Sequence, residues 1–303
     1  MRSNYAGSNR PTNRYFRDLK YPALFLAPLI LILALFIVLP VLGTILNSFF
    51  RDITFLPKKW TGLDNYLRLF ADPGFRQSFV FTILFIAVSV PVEIILGLGI
   101  AVLLHTPSKI KFFLRATILI PWAVPAAVSA RVWELIYNYN YGLLNTLLVS
   151  CSRDGAPVNW LGSPVSAFIA LVVADVWKTT PFAAIILLAG LSALPENLYR
   201  QASVDGADFR QIFFRITLPV LRPIIVVTFL FRTIDALRVF DLMYVLTSGG
   251  PGGSTTSLSL FGYKYFAGGD FGYGSAVSVL LFICAFLLAV AYVRSTRYQE
   301  DVA

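Results

Sequence analysis

The sequence predicts an all-α integral membrane protein with six transmembrane helices. Of its 303 residues, 57% are hydrophobic and only 14% are charged, which is little charge for a soluble chain of this length. The apolar residues gather in runs of about 20 or more, the length of helix that crosses a hydrocarbon core about 30 Å thick. Six such runs occur, at residues 22–47, 78–104, 113–136, 165–190, 222–246 and 275–293.

The first run predicts a retained span rather than a signal peptide, because it is long, follows a polar tail (1–20) and has no small-residue cleavage site after it. Residues 294–303 form a second polar tail. With both tails in the cytoplasm, fourteen basic residues fall on the inner side and seven on the outer side, although five of the seven lie in one loop, 49–77. This imbalance favours the orientation with both termini inside. The net charge of +9 is then explained by the basic residues that set the orientation in the membrane, and no nucleic-acid partner is expected.

Two segments between runs are predicted to lie at the outer surface. Residues 21–77 hold the first span and an outer interfacial segment, in which Leu63, Tyr66, Leu67 and Phe70 share one face of a helix that ends at Asp72-Pro73. This helix either lies flat on the outer leaflet or forms a docking surface for an outer partner. The aromatic and amide residues of segment 138–164 are either interface anchors or the lining of a vestibule for a polyhydroxyl solute.

Several familiar chemistries find no support in the sequence. The glycine-rich stretch TSGGPGGSTT (247–256) lacks the lysine with which a phosphate-binding loop reaches the terminal phosphates, so it predicts a turn or flexible loop. Cys151, Cys284 and His105 do not have metal-ligand spacing, so no metal site is predicted. No serine, cysteine or paired-carboxylate arrangement predicts catalysis, and the chain is not expected to be an enzyme.

Ionisable residues inside the spans are costly unless they face a partner or water, and they therefore indicate function. The third run, which Pro121 and Pro125 are expected to kink, contains charges three residues apart; the fourth contains DVWKTTP, and the fifth contains RTIDALRVFD. These charges form either a buried ion-pair network or a polar path for a solute. The candidate path residues are Arg131, Glu134, Asp175, Trp177, Lys178, Thr179, Asp235, Arg238 and Asp241.

The loop between the fourth and fifth runs, about 191–219, predicts a bent pair of helices. Pro195 is suited to the start of a short helix that ends at Val204, and Gly206 then occupies the usual left-handed cap position. Asp208 and Gln211, three residues apart, predict a capping box for a second helix that leads towards the next span. Acidic and basic residues balance here, so the loop is interpreted as a rigid elbow that docks onto another protein rather than onto anionic lipid.

At these residues the chain resembles the permeases of binding-protein-dependent ATP-binding cassette (ABC) importers. Their cytoplasmic motif, E-A-A-x-x-x-G-x9-I-x-L-P, is matched from Gly206 through Ile216 and Leu218-Pro219, whereas Arg200 stands where the family usually has glutamate. The stretches APLILILALFIVLP, GLDNYLRLF, YGLLNTLL, WLGSP and FDLMYVLTSGGPG are similar to the carbohydrate branch, of the maltose and glycerol-3-phosphate type. The resemblance covers roughly residues 24–292.

The resemblance implies the type I ABC importer permease fold, with a permease core at 78–293 and a cytoplasmic coupling helix. It implies a multi-pass protein of a bacterial or archaeal cell (inner) membrane that pairs with a second permease subunit, usually a different chain. Two ATPase subunits would bind ATP and Mg, so no cofactor is expected on this chain, and an extracytoplasmic binding protein would deliver a carbohydrate. By position, the coupling contacts would come from Leu198, Tyr199, Arg200, Ala202, Asp205, Gly206, Ala207, Phe209 and Arg210.

Three alternatives remain open at this point. A secondary transporter would need no docking elbow and would transport when expressed alone. An ABC permease could also serve a non-sugar solute, such as glycerol phosphate or a polyamine, and an intramembrane enzyme would need the catalytic arrangement that the spacing does not provide.

Overall fold

The computed structural model describes residues 20–106, 111–151 and 156–300, so most of the predicted N-terminal tail and the last three residues lie outside it. The described chain is helical except for one small antiparallel hairpin, β1 (Phe50–Arg51) and β2 (Lys59–Trp60). Five helices are long and apolar enough to cross a membrane, and a bent helix pair raises the number to six if it counts as one span. The predicted all-α membrane fold is confirmed.

The first span is the most lipid-like part of the chain. It comprises α1 (Lys20–Leu33), a π turn (Ala34–Val38) and α2 (Leu39–Asn47). Within it, residues 24–47 bury no side chain against the rest of the protein. A helix that is apolar on all sides and unburied must face lipid or another subunit. The predicted run 22–47 agrees with these bounds.

Beyond the first span, the hairpin and a short helix, α3 (Asp64–Ala71), form one packed unit. Asn65 of α3 donates hydrogen bonds from Nδ2 to the carbonyls of Ser48 and Phe50, both at 2.8 Å. Asn65 and Leu69 point inward, whereas Leu63, Leu67 and Phe70 of the predicted apolar face are exposed. This outward apolar face suits either of its two interpretations, an interfacial helix or a docking surface.

Asp72 joins α3 to the next helix, α4 (Pro73–His105). Its carboxylate accepts hydrogen bonds from the Gly74 amide at 2.8 Å, the Tyr265 hydroxyl at 3.1 Å and the Tyr273 hydroxyl at 2.9 Å. Burial raises the pKa of Asp72, but these hydrogen bonds outweigh the effect and hold that pKa below its ordinary value of 3.8. The predicted helix end at Asp72-Pro73 is confirmed, and α4 begins five residues before the predicted run.

The two most buried of the long helices, α4 and α8 (Pro164–Ser192), make the most extensive helix contact in the described chain. They approach closely at Gly97, where an added Cβ would lie 3.0 Å from the Cβ of Ala183 and 3.1 Å from the amide nitrogen of Ala184. Inside a bilayer there is no hydrophobic driving force between helices, so close packing has to hold them together. Small residues at such a crossing allow the two backbones to pack closely.

The third run bends more sharply than the predicted kink, so it is either one broken span or a re-entrant helix pair. It forms α5 (Lys111–Ala123) and α6 (Ala126–Ile136), whose axes differ by 91°. Pro121 lies inside α5 without breaking it. Pro125 breaks the helix because it has no N–H to donate to the preceding turn and disfavours the helical conformation at Val124.

After α6, α7 (Leu143–Cys151) lies in the predicted outer segment, and the short helix α9 (Glu196–Val204) follows α8. The fifth predicted run, 222–246, is wrong at both ends. The helix runs continuously over Phe209–Leu237 through α10 (Phe209–Ile212), a π turn (Phe213–Thr217) and α11 (Leu218–Leu237). The predicted limits differ because charged residues occupy the start of this helix and because the helix ends at Leu237, before the apolar run does.

Residues 241–246 form a separate helix, α12 (Asp241–Leu246). The glycine-rich loop that follows is turn-rich, as predicted, and is tied by a hydrogen bond of 2.6 Å from the Thr255 hydroxyl to the Gly250 carbonyl. The chain then forms α13 (Leu258–Ala267) and α14 (Phe271–Glu300). The sixth span lies within α14, over residues 271–292, four residues earlier at its start than predicted.

Candidate functional site

The elbow between α9 and α10 has the predicted caps. Gly206 adopts a φ of +77°, a left-handed conformation that side chains resist, and the Ala207 amide donates to the Ala202 carbonyl at 2.9 Å. Asp208 and Gln211 form the capping box: the Gln211 amide donates to Asp208 Oδ1 at 2.7 Å, and the Asp208 amide donates to Gln211 Oε1 at 3.1 Å. Pro195 is the N-cap of α9, one residue before its predicted place.

The elbow has an inner side that braces it and an outer side that is open. Ala202 is buried, and the Tyr199 hydroxyl lies 3.4 Å from Thr217 Oγ1, which joins α9 to the start of the fifth span. On the open side, Val204 is 88% and Phe209 is 71% exposed. Of the predicted coupling residues, Tyr199 and Ala207 are half-buried, and the exposed ones are Leu198, Arg200, Asp205, Gly206, Phe209 and Arg210.

At the far end of α11, Arg232 joins three membrane helices. Its Nε donates to Glu93 Oε2 of α4 at 2.6 Å, and its Nη1 donates to Asp235 Oδ2 at 2.5 Å. Its Nη2 lies 3.7 Å from Asp175 Oδ2 of α8. The Arg232 side chain is 2% exposed and that of Glu93 is fully buried, so these charges are compensated by one another rather than by water.

Beside Arg232 lies a cavity of about 330 Å³ between α8, α11 and α12. Six of the nine predicted path residues line it: Asp175, Lys178, Thr179, Asp235, Arg238 and Asp241. Asp235 is half-exposed and pairs with both Arg232 and Arg238. The cavity wall therefore presents carboxylates, an ammonium and a guanidinium next to a hydroxyl, a set that can donate and accept hydrogen bonds.

The positions of Arg238 and Asp241 differ from their prediction on one helix of the fifth span. Arg238 is the C-cap of α11, and Asp241 is the first residue of α12. The four charges of RTIDALRVFD therefore do not spiral around a single helix. The helix is broken between them, and both Arg238 and Asp241 line the same cavity.

The other three path candidates lie elsewhere in the described chain. Arg131 and Glu134 pair with each other at 2.5 Å, as their spacing predicts, on the exposed face of α6. Trp177 packs edge-on against Trp133 with a ring separation of 5.8 Å. None of the three is among the residues that line the cavity.

Glu93 was not predicted as a functional residue, and Arg232 was not among the candidate path residues. Glu93 is the single acidic residue inside the apolar run 78–104, and that isolation was the available signal. Its partner lies 139 positions away along the chain, so no local spacing reveals the pair.

Comparisons with known proteins identify the family of the chain. The sequence profile of the binding-protein-dependent transport system inner membrane components matches residues 73–300. The chain belongs to this family. It is therefore a multi-pass membrane permease, and the match includes both the elbow and all residues that line the cavity.

Several curated relatives of the permease are named for the transport of carbohydrates or their derivatives. The trehalose/maltose transport system permease protein MalF of Thermococcus litoralis is 49% identical over 97% of this chain and 99% of its own length. The sulfoquinovosyl glycerol transport system permease protein SmoG of Agrobacterium fabrum is 39% identical over 91% of this chain and 90% of its own. The trehalose transport system permease protein SugA of Mycobacterium tuberculosis is 39% identical over 77% of this chain and 74% of its own.

The fold of the permease is that of type I importer permeases. A chain of a bacterial ABC transporter that imports the acidic polysaccharide alginate superposes with a TM-score of 0.79, at 24% identity, over 94% of this chain and 99% of its own. A chain of the MetNI methionine ABC transporter superposes with a TM-score of 0.56 at 21% identity. At these identities the likeness concerns the fold alone.

Proposed function

We propose that this permease is the transmembrane subunit of an ATP-driven importer that passes a sugar or oligosaccharide from a binding protein into the cytoplasm by alternating access. The observation that carries the proposal is the continuous helix 209–237, which begins at the elbow and ends at the cavity. The roughly 24 residues from Asp208 to Arg232 cover about 36 Å at 1.5 Å per residue. A displacement of the elbow is therefore transmitted along one helix to the Arg232 cluster.

The chemistry of the cavity supports a carbohydrate. A sugar hydroxyl is both a donor and an acceptor, and the cavity offers acceptors on Asp235 and Asp241 and donors on Lys178 and Arg238. Phe240 lines the same cavity, so an aromatic ring lies beside the polar groups. Trehalose and maltose, the solutes in the name of the relative that is 49% identical, are the first candidates.

The open side of the elbow supports docking to an ATPase subunit. An exposed aliphatic and an exposed aromatic side chain, Val204 and Phe209, flank the capped turn, and exposed apolar groups beside rigid backbone are typical of protein contacts. The elbow end is then cytoplasmic, as are both termini. The assembly would have two ATPase subunits, which bind ATP and Mg, and a second permease chain of different sequence. Arg200 is basic where the family usually has glutamate. Either the ATPase surface that meets position 200 differs from the usual one, or this contact with the ATPase is absent.

The opposite end of the spans, which carries the hairpin and α3, would face the extracytoplasmic binding protein. In this orientation the apolar face of α3, at Leu63, Leu67 and Phe70, lies at the outer membrane surface. It is available to lipid or to the binding protein.

Reconstitution tests the proposal. The permease is purified with a candidate second permease, ATPase and binding protein from the same organism, and inserted into proteoliposomes. We expect uptake of labelled trehalose or maltose that requires both ATP and the binding protein. Uptake by this chain alone would favour a secondary transporter. Selective uptake of glycerol phosphate or a polyamine would show that the transported solute is not a sugar.

A further inference from the structure

The cluster around Arg232 contains more carboxyl groups than its buried cation can satisfy. Glu93 of α4 and Asp175 of α8 are both buried, and Arg232 is the buried cation between them. Arg232 already donates to Glu93 Oε2 and to Asp235 Oδ2. Its contact with Asp175 is 3.7 Å long, which is beyond hydrogen-bond distance.

The neighbouring charged groups do not supply the missing donor. Lys178 donates from Nζ to the Val124 carbonyl at 2.6 Å, and Arg238 donates to Asp235 at the exposed side of the cavity. Asp241 is exposed and carries a negative charge of its own. Among the described residues, Glu93 Oε1 and Asp175 Oδ2 therefore remain buried acceptors without a donor.

The carboxyl groups of Glu93 and Asp175 flank the same guanidinium, with Glu93 Oε2 2.6 Å from Arg232 Nε and Asp175 Oδ2 3.7 Å from Arg232 Nη2. If both were ionised, two buried negative charges would face one buried cation, and neither carboxylate would have a proton to donate to the oxygens that lack a donor. A single proton removes both problems. It provides the donor and leaves one negative charge to balance Arg232, as when two buried carboxyl groups share a proton elsewhere in proteins.

We propose that Glu93 and Asp175 hold one proton between them and, with Arg232, form a neutral triad that ties α4, α8 and α11 together inside the membrane. The proton comes from water, so no other group of the protein has to give one up. The triad is a proton-binding site that does not depend on which solute the permease carries. Its neutrality matters because an uncompensated charge within the bilayer is expensive.

Infrared spectroscopy tests for the proton directly. The full chain is measured in lipid nanodiscs at neutral pH, and its spectrum is compared with those of Glu93→Gln and Asp175→Asn. We expect the C=O band of a protonated carboxylic acid in the unsubstituted protein and loss of that band in both variants, because the remaining carboxylate then pairs with Arg232 alone. The control Asp64→Asn, at an exposed position of α3, keeps the band. Absence of the band, or its survival in both variants, overturns the proposal.

Thermal unfolding provides an independent readout. Each single neutralisation leaves Arg232 one of its two buried carboxylates as well as the half-exposed Asp235, so we expect a small shift of the midpoint. The double variant Glu93→Gln/Asp175→Asn removes both, and we expect its midpoint to fall by more than the sum of the two single shifts. Additive shifts, or failure of either single variant to fold, contradict the proposal, because both would mean that each carboxyl group has to be ionised.

Discussion

Lys178 of α8 donates a hydrogen bond from Nζ to the carbonyl of Val124 at 2.6 Å. Val124 lies at the break between α5 and α6, where Pro125 has no N–H and the helical ladder is interrupted. A carbonyl freed inside a membrane protein needs a donor from a neighbouring helix. Lys178 also lines the cavity, so one side chain holds the broken span in place beside the proposed solute path.

Replacing Lys178 by methionine is expected to destabilise the permease by about 1–3 kcal/mol, because a partly buried carbonyl loses its donor. Sugar uptake should fall at the same time, since the α5–α6 break borders the cavity. The matched control is Lys59→Met, on the exposed hairpin strand β2. Midpoints of thermal unfolding measure the first effect; equal midpoints for the two variants would show that the Lys178 hydrogen bond contributes nothing.

Gly206→Val is expected to uncouple ATP hydrolysis from transport. A β-branched residue at a φ of +77° distorts the elbow, although no atom lies within 4 Å of the added Cβ. Gly252 provides a matched control, because its φ of +59° imposes the same kind of strain and its surroundings are equally open, but it lies in the glycine-rich loop.

The ATPase rate with and without loaded binding protein is measured for both variants after reconstitution. We expect stimulation to be lost in Gly206→Val and kept in Gly252→Val. Normal stimulation in Gly206→Val, with the ATPase still bound, would remove the elbow from the coupling path.

Packing between α4 and α8 is tested at two glycines of the same helix. Gly97→Leu forces atoms into Ala183 and Ala184, which should cost about 1–3 kcal/mol of stability. Gly99→Leu places the same side chain where nothing lies within 4 Å. The midpoint of thermal unfolding should therefore fall in the first variant only, and an equal fall in both would mean that helix propensity rather than packing decides the outcome.

Asp72 predicts a loss of stability in acid. Because the pKa of Asp72 is lowered in the folded protein, its contribution is complete above the ordinary value of 3.8 and is lost as the pH falls through the lower folded value. Asp72→Asn should be less stable at neutral pH, by about 1–2 kcal/mol for weakened hydrogen bonds with Tyr265 and Tyr273. Its midpoint should then change less on acidification than that of the unsubstituted protein. Parallel acid profiles would exclude Asp72 as the titrating group, and Asp64→Asn is the control.

The sequence predicted the spans wherever an apolar run coincides with one helix. The first, second, fourth and sixth runs are examples, and the caps of the elbow were equally predictable because Gly206, Asp208 and Gln211 act within a few residues of one another. Pro125 showed that the third run is interrupted, but the size of the bend depends on packing against α8, which local sequence does not contain.

The candidate site was predictable only in part. Charges in apolar runs pointed to Asp175, Lys178 and Asp235, which do line one cavity. Glu93 was missed because its pairing with Arg232 is formed between distant helices. Trp177 was grouped with its sequence neighbours, although on a helix adjacent residues face different directions. The family match covers these residues without assigning them roles, so their part in transport stays a proposal.

In the proposed function, the solute passes through the cavity at the end of the continuous helix. The most direct test of this path is ATP-dependent uptake of labelled trehalose or maltose by proteoliposomes that contain Asp235→Asn, with the amount of co-purified ATPase measured in the same samples. We expect uptake to fall about tenfold or more, because a hydrogen bond to a charged group contributes about 1.5–3 kcal/mol, while the ATPase content is unchanged. Unimpaired uptake by Asp235→Asn would contradict the account.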